Sequence, residues 1–141
     1  MPFMAFKSVS SDDDGLLQVA FTAGHSSANA AMYVYLYPDQ IEHFAAELER
    51  FPTGLTHEVV LESGSSDPKW YGHLRVRVYV MDSAGHSAVE VLIDDRGEPP
   101  GRASHHFYLP CNPADMNEVG RRLKQWISHP AQEVRVDWRD I

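Results

Sequence analysis

Apolar and polar residues alternate along several short segments, and this period of two predicts β-strands. The clearest segment is 70–81 (WYGHLRVRVYVM), where aliphatic residues occupy one phase and charged or aromatic residues the other. Residues 1–15 are predicted to form a leader or a first edge strand that ends in the turn sequence DDDG. Further strands are predicted over 16–22, 31–37, 57–63, 86–94, 104–109 and 133–138.

Two other segments repeat apolar residues every three or four positions, which predicts amphipathic helices. The first helix is predicted to begin near Pro38 and to end before Pro52. The second follows Asn112, a favourable N-cap residue, with Pro113 at its first position, and ends at residues 129–130. The predicted buried stripes are Ile41, Phe44, Ala45, Leu48 and Phe51 in the first helix, and Met116, Val119, Leu123 and Trp126 in the second.

The two helices and the strands before them resemble each other. The helix stripes match at a displacement of 75 residues, and the strand ends 34–36 and 107–109 match at a displacement of 73. Shared amphipathic spacing alone also produces such a match, so the pattern leaves an ancestral duplication open. Either interpretation predicts two strand–turn–helix units that pack side by side on one sheet.

These elements predict the fold class. The length of 141 residues suits one domain. We expect a single α+β domain over residues 1–141, with a mostly antiparallel sheet of about six to seven strands and two helices packed on one face. The apolar strand phases then face the helices, and the opposite phases form an open sheet face.

The predicted open face combines aromatic and charged side chains, a composition typical of binding surfaces. An alternative is a solvated face on which these residues only pair across strands. The candidate binding residues are Tyr33, Tyr35, His73, Arg75, Arg77, Tyr79, His106 and Tyr108, with Glu90 in the same phase.

Charge and cysteine content narrow the functional classes. The net charge is −8, and residues 1–70 carry −7 of it, with 10 acidic against 3 basic residues. This acidity disfavours nucleic-acid binding and attracts a basic protein partner, although it also serves solubility alone. The lone Cys111 excludes an internal disulfide. We see no signal peptide and no membrane span, so we expect a cytoplasmic protein that does not bind membranes.

The sequence offers little for catalysis. Ser26 in GHSSA resembles a nucleophile elbow, but a strand rather than a long helix is predicted soon after it. Cys111 precedes a helix N-terminus, which favours a reactive thiol, although buried structural cysteines are commoner. His73, His86 and His106 have the spacing to meet on the open face, but scattered histidines are a weak metal signal. We therefore predict neither a metal nor another cofactor.

The helices differ in charge. The first carries Glu42, Glu47 and Glu49, and the second carries Arg121, Arg122 and Lys124. In one interpretation, these residues form the solvated faces of neighbouring helices. In the other, the acidic helix is a docking face for a basic partner.

A family resemblance adds to this picture. The segments PDQIEHF (38–44), LRVR (74–77) and DSAGHSAVEV (82–91), followed by a strand and a C-terminal helix, resemble small bacterial α+β proteins grouped with WapI-type immunity proteins. The similarity covers roughly residues 16–127. It implies a binding protein without catalytic residues, with a toxin as its partner.

The sequence thus predicts a non-enzymatic, macromolecule-binding protein that uses the open sheet face or the acidic helix. A basic toxin is one candidate partner, and a second copy of the chain is another. Two alternatives stay open, a small-ligand or anion-binding protein that uses the Arg/Tyr face and a small enzyme centred on a histidine.

Overall fold

Two antiparallel sheets of four strands each and two helices make up the described part of the protein in the computed structural model, which describes residues 1–25, 28–65 and 72–139. The α+β class, the antiparallel pairing and the helix pair agree with the sequence-based expectation. The single sheet of six to seven strands does not. The elements in chain order are β1 (Phe3–Ser11), β2 (Leu17–His25), β3 (Ala28–Leu36), α1 (Pro38–Arg50), β4 (Glu58–Gly64), β5 (His73–Val80), β6 (Ser87–Asp94), β7 (Ser104–Cys111), α2 (Pro113–Trp126) and β8 (Val134–Asp137).

The strand order shows how the two halves of the chain are joined. The first sheet has the order β3-β2-β1-β8, and the second has the order β4-β5-β6-β7. Each half contributes three consecutive strands to one sheet and, after its helix, a fourth strand to the other sheet. β1 is therefore a central strand between β2 and β8, not the edge strand that the sequence suggested.

One hydrophobic core lies between the sheets and the helices. It contains the apolar strand phases and both helix stripes, and the residues predicted to mark it, Phe44, Leu48, Val76, Val78 and Leu123, are at most 1% exposed. Ring contacts tie the layers together, since Phe6 of β1 lies 5.9 Å from Trp126 of α2 between ring centroids. Burial on this scale is the main stabilising contribution to the fold.

The helices pack directly on each other. A Cβ atom at Gly120 of α2 would lie 2.6 Å from the carbonyl oxygen of Ala45 in α1, so glycine permits this close approach. The Asn117 side chain of α2 donates to the carbonyl oxygens of Leu48 and Phe51, each at 2.8 Å. The Leu48 carbonyl oxygen also accepts from the Phe51 backbone N–H at 3.2 Å, so Asn117 adds a second donor there and supplies one to the Phe51 carbonyl oxygen just beyond α1.

The two halves repeat local details at a displacement of 75 residues. Gln40 accepts a bond from the Tyr37 backbone N–H at the start of α1, and Asp115 accepts one from Asn112 at the start of α2, both at 2.8 Å. The last strands also correspond. Ser63 donates to the carbonyl oxygen of Tyr35, and Trp138 donates to that of Pro110, again both at 2.8 Å.

The structure corrects two details of the predicted repeat. The strand end 34–36 corresponds to 109–111 rather than to 107–109, because both strands end next to their helices. The segment 23–25, which lies beyond the predicted strand 16–22, belongs to β2, where Gly24 pairs with Asn29 and a Cβ would lie 2.2 Å from the carbonyl oxygen of Ala28. The candidate nucleophile Ser26 and the predicted strand start at 70–71 lie outside the described residues.

Candidate functional site

Six of the eight candidate binding residues lie on strands of the second sheet. Cross-strand pairing places Arg77 beside Glu90, and Glu90 beside Tyr108, in one row across β5, β6 and β7. The neighbouring row contains Arg75, Leu92 and His106, and the row on the other side contains Tyr79, Ala88 and Pro110. The period-two pattern thus identified the outward phase of this sheet, except that His73, which has the same phase in β5, is buried at 6% exposure.

Glu90 is the centre of a polar cluster on this face, which we call the Glu90 cluster (Arg75, Arg77, Glu90, His106 and Tyr108). The carboxylate accepts from Arg77 Nε at 2.7 Å and from the Tyr108 hydroxyl at 2.9 Å, and it lies 2.8 Å from His106 Nε2. Arg75 Nη1 lies farther away, at 3.7 Å. The Glu90 side chain is only 15% exposed beneath these donors.

The cluster changes the acidity of its members. Burial of the Glu90 carboxyl opposes its ionisation, but hydrogen bonds from Arg77, His106 and Tyr108 outweigh this effect and lower its pKa to about 2. The hydrogen bond to Glu90 in turn raises the pKa of Tyr108 and is the leading cause of the raised pKa of Arg77. Glu90 therefore stays ionised at neutral pH and is a poor general base.

The charge of Arg77 is largely neutralised by its partners on this face. Besides Glu90, Arg77 donates from Nη1 to Glu58 at 3.0 Å, and its guanidinium carbon lies 4.0 Å from the centroid of the Tyr79 ring. A guanidinium group with these partners has little capacity left for an external anion. This arrangement weakens the alternative of an anion site on the Arg/Tyr face.

An apolar depression lies next to the cluster, where β5 and β7 flank β6. It has a volume of about 380 Å³. Its base is Ala88, which is 3% exposed although it points outward, whereas Met81 and Tyr108 on the rim are 57% and 50% exposed. We call this depression the apolar notch, and its lining residues are Tyr79, Met81, Ala88, Tyr108 and Pro110.

Sequence patterns missed three of the five residues that line this notch. Met81, Ala88 and Pro110 were not among the candidate residues, because a small residue between large ones is recognisable only once the cross-strand neighbours are known. One feature of the sequence could have indicated the notch, namely Met81, an apolar residue directly before the turn that begins at Asp82. Large apolar side chains near turns have few core partners and are therefore candidates for exposure.

Tyr33 and Tyr35 do not belong to this surface. They lie on β3 at the edge of the first sheet, where they are 61% and 37% exposed. The continuous face predicted from eight residues is therefore divided between two sheets. The reason is that both sheets bury their apolar phases in one core, so each has its own outer face.

The histidines with metal-site spacing do not meet. His73 is buried, and its Nε2 lies 2.6 Å from Glu62, whereas His106 pairs with Glu90 and His86 pairs with Asp82 in the β5–β6 turn. Within the described ranges, no three His, Cys, Asp or Glu side chains are grouped as metal ligands. Each of these three histidines instead has its own carboxylate partner.

The remaining candidates are the Cys111 thiol and the acidic helix, and both make contacts within the protein. Cys111 is buried in the core, and this burial raises the pKa of its thiol to about 12, contrary to the activation that a helix N-terminus suggested. In the acidic helix, Glu47 pairs with Arg50 and lies 3.2 Å from His57, and Glu49 lies 3.7 Å from Lys124. Two of its three glutamates thus have partners within the protein.

Membrane insertion finds no support among the helices. In the part of the chain that is described, neither helix has the length and apolar character needed to cross a bilayer.

The fold and its faces define a class of protein: two four-stranded antiparallel sheets that share a core with two helices and exchange their last strands. No protein-family model and no curated protein matches the chain. Among solved structures, the crystal structure of WHY1 from Arabidopsis thaliana is similar, with a TM-score of 0.50 and 10% identity over 92% of this chain and 82% of that one. At this identity the similarity concerns the fold alone, and the resemblance to WapI-type immunity proteins stays a prediction.

Proposed function

We propose that this chain is a non-enzymatic binding protein that holds a basic protein partner on the outer face of the second sheet. The observation that carries the proposal is the apolar notch beside the Glu90 cluster. Exposed aromatic and sulfur-containing side chains surround a recess there, and the adjoining charged groups already have partners. Such a preformed surface is better suited to binding a side chain of a protein partner than to catalysing a reaction.

The notch supports the protein-binding part of the proposal. An apolar side chain of a partner that reaches Ala88 would be surrounded by Tyr79, Met81 and Tyr108 and would lose its water on all sides. Binding energy in interfaces concentrates in central, fully desolvated contacts of this kind. The Glu90 cluster would form a rigid polar rim, because its side chains are fixed before a partner arrives.

The charge distribution supports a basic partner. Glu58 lies opposite the notch residue Tyr79 on the neighbouring strand, and Asp82 follows Met81; their carboxylate side chains are each 47% exposed beside their partners Arg77 and His86. The chain as a whole carries −8, which attracts a basic protein over a distance and speeds its association. A basic toxin neutralised in a bacterial cytoplasm fits this chemistry, as the immunity-protein resemblance implies.

The two alternatives have weaker support. An anion site built from Arg75 and Arg77 would have to displace Glu90 from the guanidinium groups. A histidine-centred enzyme would need a nucleophile within hydrogen-bond distance of the histidine. His106 instead faces the ionised Glu90 and a tyrosine, and the Cys111 thiol is buried.

The proposal is tested by affinity capture from the native cell lysate, followed by purification of the captured protein and a titration with it. Met81→Asp and Met81→Lys each place a charge in the apolar notch, and we expect both to weaken binding by about tenfold or more, as does Tyr108→Ala, because the lost apolar contact does not depend on the sign of the charge. Tyr108→Phe keeps the ring and should bind nearly as the wild type does. Tyr33→Ala on the other sheet is the matched control.

The identity and salt dependence of the captured protein complete the test. A basic partner whose affinity falls with rising salt agrees with the proposal. Equal weakening by Tyr33→Ala, or undiminished binding to Met81→Asp, would contradict it. Sedimentation equilibrium with the same variants identifies a second copy of the chain as the partner if only the notch variants abolish self-association.

A further inference from the structure

The two sheets carry the same framework on their outer faces. In the first sheet Lys7 pairs with Ala20, and Ala20 pairs with Tyr33. In the second sheet Arg77 pairs with Glu90, and Glu90 pairs with Tyr108. Each row runs from the first strand of a half to its third strand, so Lys7 corresponds to Arg77 and Tyr33 to Tyr108.

The central position of the row differs between the sheets. In the second sheet the carboxylate of Glu90 lies between the cation and the phenol, 2.7 Å from Arg77 Nε and 2.9 Å from the Tyr108 hydroxyl. In the first sheet this position is Ala20, whose methyl group has no polar atom. The first sheet thus keeps a cation and a phenol at the ends of the row and lacks the carboxylate between them.

Lys7 and Tyr33 are exposed, and among the residues that the structure describes neither side chain has a hydrogen-bond or ion-pair partner. A shallow depression of about 320 Å³ lies along Tyr33, with small side chains at its base. Ala20, Thr22 and Ala31 line it, and they leave room for a flat group against the sheet. Its volume lies at the lower end of the range for small-molecule sites.

We propose that the outer face of the first sheet binds an organic carboxylate over Ala20, with the ligand's carboxylate between Lys7 and Tyr33 where Glu90 stands in the second sheet. The Lys7 ammonium supplies the charge, and the Tyr33 hydroxyl donates a hydrogen bond. A flat apolar body on the ligand covers the alanine base beside the Tyr33 ring. The ligand class is therefore a small aromatic carboxylate. This site is separate from the proposed protein-binding notch.

Benzoate is the probe for a first experiment, a titration followed by NMR chemical shifts of the intact protein. We expect saturable shifts confined to Lys7, Ala20, Thr22 and Tyr33, with a dissociation constant on the order of millimolar, as for one solvent-exposed ion pair and a ring contact. Benzylamine, with the opposite charge, should cause no saturable shifts. Inorganic phosphate tests for unspecific attraction of anions and should bind at least tenfold more weakly.

Three variants separate this site from a general surface effect. Lys7→Met should weaken benzoate binding by about tenfold, whereas Lys124→Met, which removes another exposed lysine on α2, should leave it unchanged. Ala20→Glu places a carboxylate of the protein itself at the position proposed for the ligand's carboxylate. It should abolish benzoate binding, because this carboxylate would occupy the position between Lys7 and Tyr33 that Glu90 occupies between Arg77 and Tyr108 in the second sheet.

The outcomes are distinct from those for the notch. An unchanged benzoate dissociation constant in Lys7→Met, or a folded Ala20→Glu variant that binds benzoate as the wild type does, would overturn the assignment. So would a titration without saturable shifts up to tens of millimolar. Met81→Asp, which tests the notch, should not affect benzoate binding, so either proposal can fail without the other.

Discussion

Glu90 shows how a single residue can fix the chemistry of a sheet face. Its pKa of about 2 in the folded protein lies below the ordinary value of 4.5, so its ionised form stabilises the fold. This stabilisation is fully present above about pH 4.5 and is lost as the pH falls towards about 2. A sheet face with the same arginines but without Glu90 would present unneutralised charge to the solvent.

Replacement of Glu90 by glutamine tests this role. Glu90→Gln keeps the size of the side chain but removes its charge, and we expect a loss of about 1–2 kcal/mol in the free energy of unfolding at pH 7. The difference from the wild type should shrink at pH 3, which lies below the ordinary pKa of 4.5, because the unfolded wild-type chain then binds a proton that the folded Glu90 largely does not. Urea denaturation at the two pH values measures both effects.

Glu58 provides the matched control for that measurement. It accepts one bond from the same arginine, but its side chain is 47% exposed, so Glu58→Gln should change stability by less than about 0.5 kcal/mol. An equal loss for both variants would show that the arginine alone, rather than the convergence of donors on Glu90, determines the stability of this face.

At the scale of elements, the contact between α1 and α2 depends on a glycine. The Cβ atom of an alanine at position 120 would lie 2.6 Å from the carbonyl oxygen of Ala45 and 2.9 Å from the backbone nitrogen of Glu49. Neither backbone atom can move without shifting α1. Alanine improves helix propensity by about 1 kcal/mol, but overpacking of a tight contact costs about 1–3 kcal/mol.

We therefore expect Gly120→Ala to destabilise the protein in spite of its better helix propensity. The expected net loss is about 1 kcal/mol or more, measured as a shift of the urea midpoint. Gly54→Ala is the control, because a Cβ there meets no atom within 4 Å, and it should stay within about 0.5 kcal/mol of the wild type. A stabilised Gly120→Ala variant would mean that the helices can separate slightly without loss.

The elements themselves follow from the sequence, but their assembly does not. Alternation located the strands and their buried phases, and the three-to-four spacing located both helices, because these periods reflect the geometry of each element. Alternation contains no information about which strand pairs with which. Tyr33 and Arg77 were therefore predicted to share a face that they do not share. The position of Glu90 between Arg77 and Tyr108 follows only from the register of β5, β6 and β7.

At the scale of the whole molecule, the exchange of last strands makes the two halves depend on each other. β4 follows β1–β3 and α1 in the first half of the chain, but it pairs with β5 of the second half. This pairing covers seven residue pairs, from Glu58–Tyr79 to Gly64–His73. β8 returns to pair with β1 over four residue pairs. Both exchanged strands bury side chains in the core, namely Val59 and Leu61 in β4 and Val134 and Val136 in β8.

This exchange predicts that neither half folds alone. A fragment of residues 1–71 would expose the apolar face of its three-stranded sheet and leave β4 without a partner, and residues 72–141 would have the mirrored defect. Small units with so much exposed apolar surface cannot offset their conformational entropy. We expect each fragment to lack a cooperative thermal transition in circular dichroism. An equimolar mixture should regain the transition of the intact chain and sediment as a one-to-one complex. A fragment that unfolds cooperatively by itself would show that the halves are independent units and that the strand exchange is dispensable.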